Sequence, residues 1–194
     1  STRSKAKSSK RSSNDAFALL KNDHKTVQQM FDEYADLCEQ EAESASKQAL
    51  ASRICVELKV HTQIEEEIFY PALRDAFDDP ALLDEAEVEH QSAKDLIEQI
   101  EGAGPDDDLY DAKVTVLGEY IKHHVKEEEG EIFKEAKSAG IDADALGEAM
   151  AERADELRGD LEAGDELEEE EDDVDASEED EEDGESGRRR ARRG

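Results

Sequence analysis

The sequence predicts an all-α protein: an up-down-up-down four-helix bundle with an additional C-terminal helix and disordered charged tails. Three observations predict it. Prolines fall only at positions 71, 80 and 105, so long stretches lack the residue that breaks helices. Apolar residues recur at alternating steps of three and four, the period of a stripe that faces other helices. The breaks between periodic stretches are short, which makes consecutive helices antiparallel neighbours.

The first helix is expected at about 14–43, capped by Asn14 or Asp15, with a seam of Phe17, Leu20, His24, Val27, Phe31, Tyr34 and Cys38. The second, at about 46–76, carries Ile54, Leu58, His61, Glu65, Ile68 and Ala72 and ends before "FDDPA". A third at about 81–102 presents Leu83, Ala86, His90, Ala93, Ile97 and Ile100, and "EGAGPDDD" closes it. The fourth, at about 107–138, reads Tyr110, Val114, Leu117, Ile121, His124 and Glu128, then continues to Ile132 before "SAGIDAD". A fifth helix at about 142–162 is amphipathic through Leu146, Met150, Leu157 and Leu161 and packs across the bundle.

Each of the four seams is interrupted near its middle: by His24, by His61 with Glu65, by His90, and by His124 with Glu128. In antiparallel helices these interruptions fall at one depth. Buried carboxylates without positive charge are costly, and no Lys or Arg lies on the seams, so a bound cation is the simplest counter-charge. Residues i and i+4 share a helix face, so His61 with Glu65, and His124 with Glu128, each address one site. His123 lies one step off the seam, and a one-residue shift would pair it with Glu127 instead. Imidazole and carboxylate donors without thiolate suit iron, manganese or zinc, and four histidines with two glutamates are too many for one tetrahedral zinc. Two metals with bridging carboxylates fit them. Glu66, Glu67, Glu127 and Glu129 read as surface charge, with orientation of the histidines as the minor alternative. Tyr34 and Tyr120 read as packed or as hydrogen-bonding near the site.

The folded part, residues 14–164, has 40 acidic and 14 basic side chains, a net charge of −26. That surface repels nucleic acid and anionic membrane. Residues 1–13 form a basic arm, and 164–194 an acidic tail with sixteen Asp or Glu before an Arg-rich end, the one place for a phosphate contact. Cys38 and Cys55 lack any CxxC partner and read as reduced core thiols of a cytoplasmic protein. No apolar run of membrane-spanning length is present.

The segments "NDHKTVQQMFDEY", "VHTQIEEEIFYPAL", "EVEHQSAKDLI" and "IKHHVKEEEGEIF" together resemble the hemerythrin-like, HHE cation-binding domain family, over roughly residues 14–160. The resemblance implies a non-haem, oxo- or hydroxo-bridged di-iron centre on His24, His61, Glu65, His90, His124 and Glu128. It also implies a role in oxygen carriage, iron handling or the response to oxidative or nitrosative stress, with a diatomic molecule or peroxide as ligand. One departure matters. The oxygen carriers of the family place two histidines four residues apart on the third helix, whereas here the positions four away from His90 are Ala86 and Lys94. An extra open position is therefore expected, and with it more reaction than simple carriage. Two alternatives stand beside this reading: a di-iron enzyme with peroxidase or oxidase activity, and a metal-free acidic bundle whose tails recruit basic partners.

Overall fold

The computed structural model describes residues 15–175, with side chains placed through residue 161. Its elements are α1 (Ala16–Glu39), α2 (Ser44–Ile64), a π-helical turn (Glu65–Phe69), α3 (Tyr70–Arg74), α4 (Ala81–Glu101), α5 (Tyr110–Glu127), a second π-helical turn (Glu128–Ile132), α6 (Phe133–Ala139) and α7 (Ala143–Asp175). No strand occurs among the described residues. The α2–π–α3 and α5–π–α6 runs are continuous rods, so four long rods form the bundle. Around it α1 packs on α2, α2 on α4, α4 on α5 and α5 back on α1, as short antiparallel connections require.

Asp15 is the N-cap of α1: its carboxylate accepts from the Ala18 amide at 2.8 Å. Asp15→Ala is expected to cost about 1 kcal/mol, readable as a lower urea midpoint with an unchanged m-value. At the far end of the fourth rod Gly140, at φ 74°, supplies the left-handed residue that stops α6. Gly118 lets α5 approach α1, since a Cβ there would stand 3.0 Å from the Phe31 ring.

The core follows the expected seams closely in α1, α4 and α5, where Cys38 and Ile121 are only half-buried, and departs from them in α1 and on the second rod. Met30 is buried where Phe31 is only half-buried. On the second rod the stripe beyond Glu65 is not Ile68 and Ala72 but Phe69, Tyr70 and Leu73, all fully buried. The cause is the π turn, closed by the Tyr70 amide on the Glu65 carbonyl, which holds one residue more than an α turn and moves every later side chain round the rod. The fourth rod repeats it, with the Phe133 amide on the Glu128 carbonyl. In both rods two large side chains, four and five residues past the glutamate, share its buried face: Phe69 with Tyr70, and Ile132 with Phe133.

In α7, Met150, Ala154 and Leu157 are buried. Arg153 bonds Glu67 at 2.7 Å and Arg158 bonds Glu57 at 3.0 Å, tying α7 to the second rod. Contacts divide the chain into one compact unit ending at Arg158 and another beginning at Gly159. The helix runs on to Asp175, where the sequence predicts a disordered tail from 164. Leu, Glu and Ala are strong helix formers, and nothing between Gly164 and Asp175 breaks a helix. The basic arm 1–13 and the Arg-rich end lie outside the described residues. No helix among those described is long and apolar enough to cross a membrane.

Candidate metal centre

His24 of α1, His61 of α2, His90 of α4 and His124 of α5 are buried in one layer, with Glu65 and Glu128 at the first residue of each π turn. Their donor atoms fall into two groups, each within 4.8 Å. One comprises His24, His61, Glu65 and Glu128, the other Glu65, His90 and His124. Glu65 belongs to both. His24 Nε2 stands 3.2 Å from His61 Nε2, and His90 Nε2 stands 3.2 Å from His124 Nε2. Glu128 Oε2 is 3.1 Å from His24 Nε2, and Glu65 Oε2 lies 3.4 Å from His61 Nε2 and 3.3 Å from His90 Nε2.

The opposite ring nitrogens face outward to carboxylates. His24 Nδ1 is 2.9 Å from Glu129, His90 Nδ1 is 3.1 Å from Glu66, and His124 Nδ1 is 2.9 Å from Glu89. His61 Nδ1 is 3.7 Å from Asp23, too far for a hydrogen bond. Each carboxylate sits on the rod next to its histidine, so the four pairs run once round the bundle. An ionised carboxylate only accepts, so the bonded imidazoles carry their proton on Nδ1 and turn a lone pair inward at Nε2. Glu66 is held ionised, down to about 2, by the hydrogen bond from His90 and by Lys94.

These residues fit cations on three counts. For His90 and His124, two Nε2 lone pairs oppose each other at 3.2 Å, a repulsive arrangement unless positive charge lies between them. Adjacent nitrogens on a cation that binds each at about 2.1 Å would be separated by roughly 3.0–3.4 Å. All four carboxylate oxygens of Glu65 and Glu128 are buried without a hydrogen-bond partner. Such orphans are costly in a folded core. Burial pushes the Glu65 carboxyl well above its usual range, and the adjacent Glu128 adds to the rise. Burial also lowers His61 and His90, keeping them neutral and ligand-ready. His24 is raised, because the nearby Glu128 and Glu129 outweigh its burial.

One wall of the layer is aromatic. Phe133 packs edge-on to Phe17 at 5.1 Å and to Phe69 at 5.9 Å, and stacks on His24 at 6.2 Å. Another part of the layer borders a small cavity walled by Val27, Leu58, Ile121 and Val125, which all four histidines also line. It offers about 10 Å³ to the centre of a water-sized molecule, room for one such species. Tyr70 places its hydroxyl 3.4 Å from His90 Nε2, and burial holds that phenol protonated.

All six residues singled out in the sequence come together here. His123 does not join them: its side chain is 60% exposed. Tyr34 bonds Asp111 at 2.8 Å instead of the layer, and Tyr120 is exposed. Tyr70, Asp23 and Glu89 carry no expectation from the sequence, and Glu66 and Glu129, expected as surface charge with orientation of the histidines as the minor alternative, take that alternative. The four carboxylates, Asp23, Glu66, Glu89 and Glu129, share one signal, an acidic residue beside a seam ligand on every rod. Glu66→Gln would leave the inward-facing donors in place but remove the ionised acceptor behind His90; metal affinity is expected to fall by roughly tenfold in a chelator competition titration.

Fold and site together define a helical-bundle protein with a cation-binding core. The chain belongs to the hemerythrin HHE cation binding domain family, whose sequence profile matches residues 15–136. A crystal structure of a hemerythrin HHE cation binding domain-containing protein from Mycobacterium kansasii aligns with a TM-score of 0.63 at 24% identity, covering 75% of this chain and 88% of that one. This is a likeness of fold. A Nostoc sp. protein described as a DNA nickase is 28% identical over 118 residues, which is 59% of this chain and 31% of that protein. The chain thus spans less than a third of that relative's length.

Proposed function

We propose that the six-residue layer holds a non-haem di-iron centre and that the protein uses it to bind or sense oxygen, peroxide or nitric oxide. The observation that carries this is the set of four orphaned carboxylate oxygens on Glu65 and Glu128, opposed by histidine Nε2 atoms. His24, His61, Glu65 and Glu128 would hold one ion and His90, His124 and Glu65 the other. A nitrogen and oxygen donor set without sulfur suits iron or manganese. When bound, the metal pair supplies Lewis acidity and one-electron redox chemistry.

The chain's own residues do the rest. Phe17, Phe69 and Phe133 keep bulk water off the layer, and the apolar cavity admits a molecule of diatomic size. With three protein donors on the His90 side and four on the His24 side, ions that take six ligands would keep open positions on both sides, in keeping with the absence of a fifth histidine at Ala86 or Lys94. Tyr70 holds a proton next to His90 on the sparser side. That proton favours a second reading, turnover of peroxide, because reduction consumes protons at the site. The nicking named for the Nostoc relative is not carried over: the shared part is 31% of that protein, and a fold with net charge −26 repels phosphodiesters.

Optical spectra of the ferrous protein test the proposal. Mixing with oxygen or nitric oxide is expected to produce a new visible band that is absent from the metal-free protein. Sustained peroxide consumption would move the assignment to the enzyme, and an unchanged spectrum with every ligand would refute both readings.

A further inference from the structure

Beside the buried layer lies a second group of donors, Glu89, His123 and Glu127, whose ligand atoms also fall within 4.8 Å of one another. His123 Nε2 stands 3.3 Å from Glu127 Oε1, its i+4 neighbour on α5, and 3.5 Å from Glu89 Oε1 on α4. Glu89 turns its other oxygen to His124 Nδ1 at 2.9 Å, so one carboxylate touches both the outer group and a residue of the inner layer.

Three features mark this group. A narrow crevice lined by Glu85, Ala86, Glu89, Glu127, Glu128 and His124 joins the outer residues to the inner ones. It gives about 10 Å³ to the centre of a water-sized particle, and Ala86 contributes only a methyl to its wall. Glu128, fully buried and with both carboxylate oxygens lacking any partner, stands in that same crevice. The counter-charge is also different here. Glu66 is capped by Lys94 at 2.6 Å and Glu129 by Lys21 at 3.1 Å, whereas Glu89 has no lysine or arginine within 4 Å among the described residues. Four carboxylates line the crevice and, among the described residues, no lysine or arginine does.

We propose that Glu89, His123 and Glu127 form an outer site that captures a divalent cation and passes it along the crevice to Glu128 and His124. The proposal rests on the buried layer being a metal centre. Ligand exchange suffices for the transfer: His123 and Glu127 release the ion as Glu128 takes it, with no change of oxidation state. Negative clefts of this kind raise the local concentration of cations and their association rate.

The test uses the full chain stripped of metal and the variant His123→Ala/Glu127→Gln, neither residue being among the six of the layer. Cobalt(II) uptake is followed by stopped-flow absorbance at limiting metal, and the final metal content per chain is then measured. Uptake by the variant is expected to slow by roughly tenfold with the final content of the buried layer unchanged. The charge-matched control Glu33→Gln, at an exposed position outside both groups, is expected to load at the wild-type rate. A variant that keeps pace with wild type, a control that slows equally, or a variant whose final buried-layer content falls along with its rate would each overturn the outer site and leave the buried centre standing. A wild type that takes up no metal would overturn both.

Discussion

Glu65→Leu is expected to abolish metal binding and yet, compared metal-free with metal-free, to give the more stable protein. Both effects come from one carboxylate. Glu65 is fully buried and belongs to both donor groups, so its loss takes a donor from each of the two proposed ion positions at once. In the metal-free chain the same group is a liability. Its oxygens have no hydrogen-bond partner, and with burial raising it above the usual range it must take up a proton to be tolerated beside Glu128. Exchanging such a group for an apolar residue commonly gains about 1–3 kcal/mol, which in a protein of this size moves the thermal midpoint upward by several degrees. Metal analysis reads the first effect and calorimetry of the chelated proteins the second. A metal-free variant that melts below metal-free wild type would show that Glu65 has a stabilising partner without cations.

Stripping the metal from wild type is expected to lower its thermal midpoint by roughly 15 °C or more. Each ion that binds only the folded state stabilises it by about 4 kcal/mol at a free concentration a thousand times its dissociation constant, and the proposed centre would hold two. The same binding relieves the repulsion between facing imidazole lone pairs and supplies the counter-charge that the orphaned carboxylates lack, so metal binding and folding are coupled. The measurement is a pair of melts, before and after dialysis against a strong chelator, with re-addition of ferrous iron in the absence of oxygen as the control. A shift of only one or two degrees would mean that the rods hold the layer together by themselves.

Much of this architecture is legible in the chain because helical periodicity reports it directly. In α4 the whole expected stripe, Leu83, Ala86, His90, Ala93, Ile97 and Ile100, is buried as read. The second rod shows where such reading fails. A constant period carries the stripe from Glu65 to Ile68 and Ala72, whereas the π turn diverts it to Phe69, Tyr70 and Leu73. A signal for that turn does exist: in "EEEIFY" and in "EEGEIF" two large apolar or aromatic residues stand four and five places after the seam glutamate, and an α turn cannot bury both on one face. Missing the turn also hides Tyr70 and its hydroxyl beside His90.

Of the carboxylates behind the histidines, Glu89 is not legible and Glu66 and Glu129 are legible only as a minor alternative, for another reason. Glu66, Glu89 and Glu129 lie one step off their own seams and meet histidines of the neighbouring rods, so their role depends on which rods are adjacent. The periodicity of a single helix contains no such term. His124 and His123 were separable by phase alone, and the structure buries the first and exposes the second, although the second has an acidic pair of its own. α7 extends to Asp175 because the helix propensity of the glutamate-rich run outweighs the like-charge repulsion that predicts a disordered tail from 164.

The most direct test of the central claim is an anomalous-scattering map from crystals of the iron-loaded protein, recorded at the iron edge. The account predicts two peaks in the buried layer, one among His24, His61, Glu65 and Glu128 and one among Glu65, His90 and His124. A map with no peak in that layer would contradict it, as would a single peak held by exposed carboxylates elsewhere on the bundle.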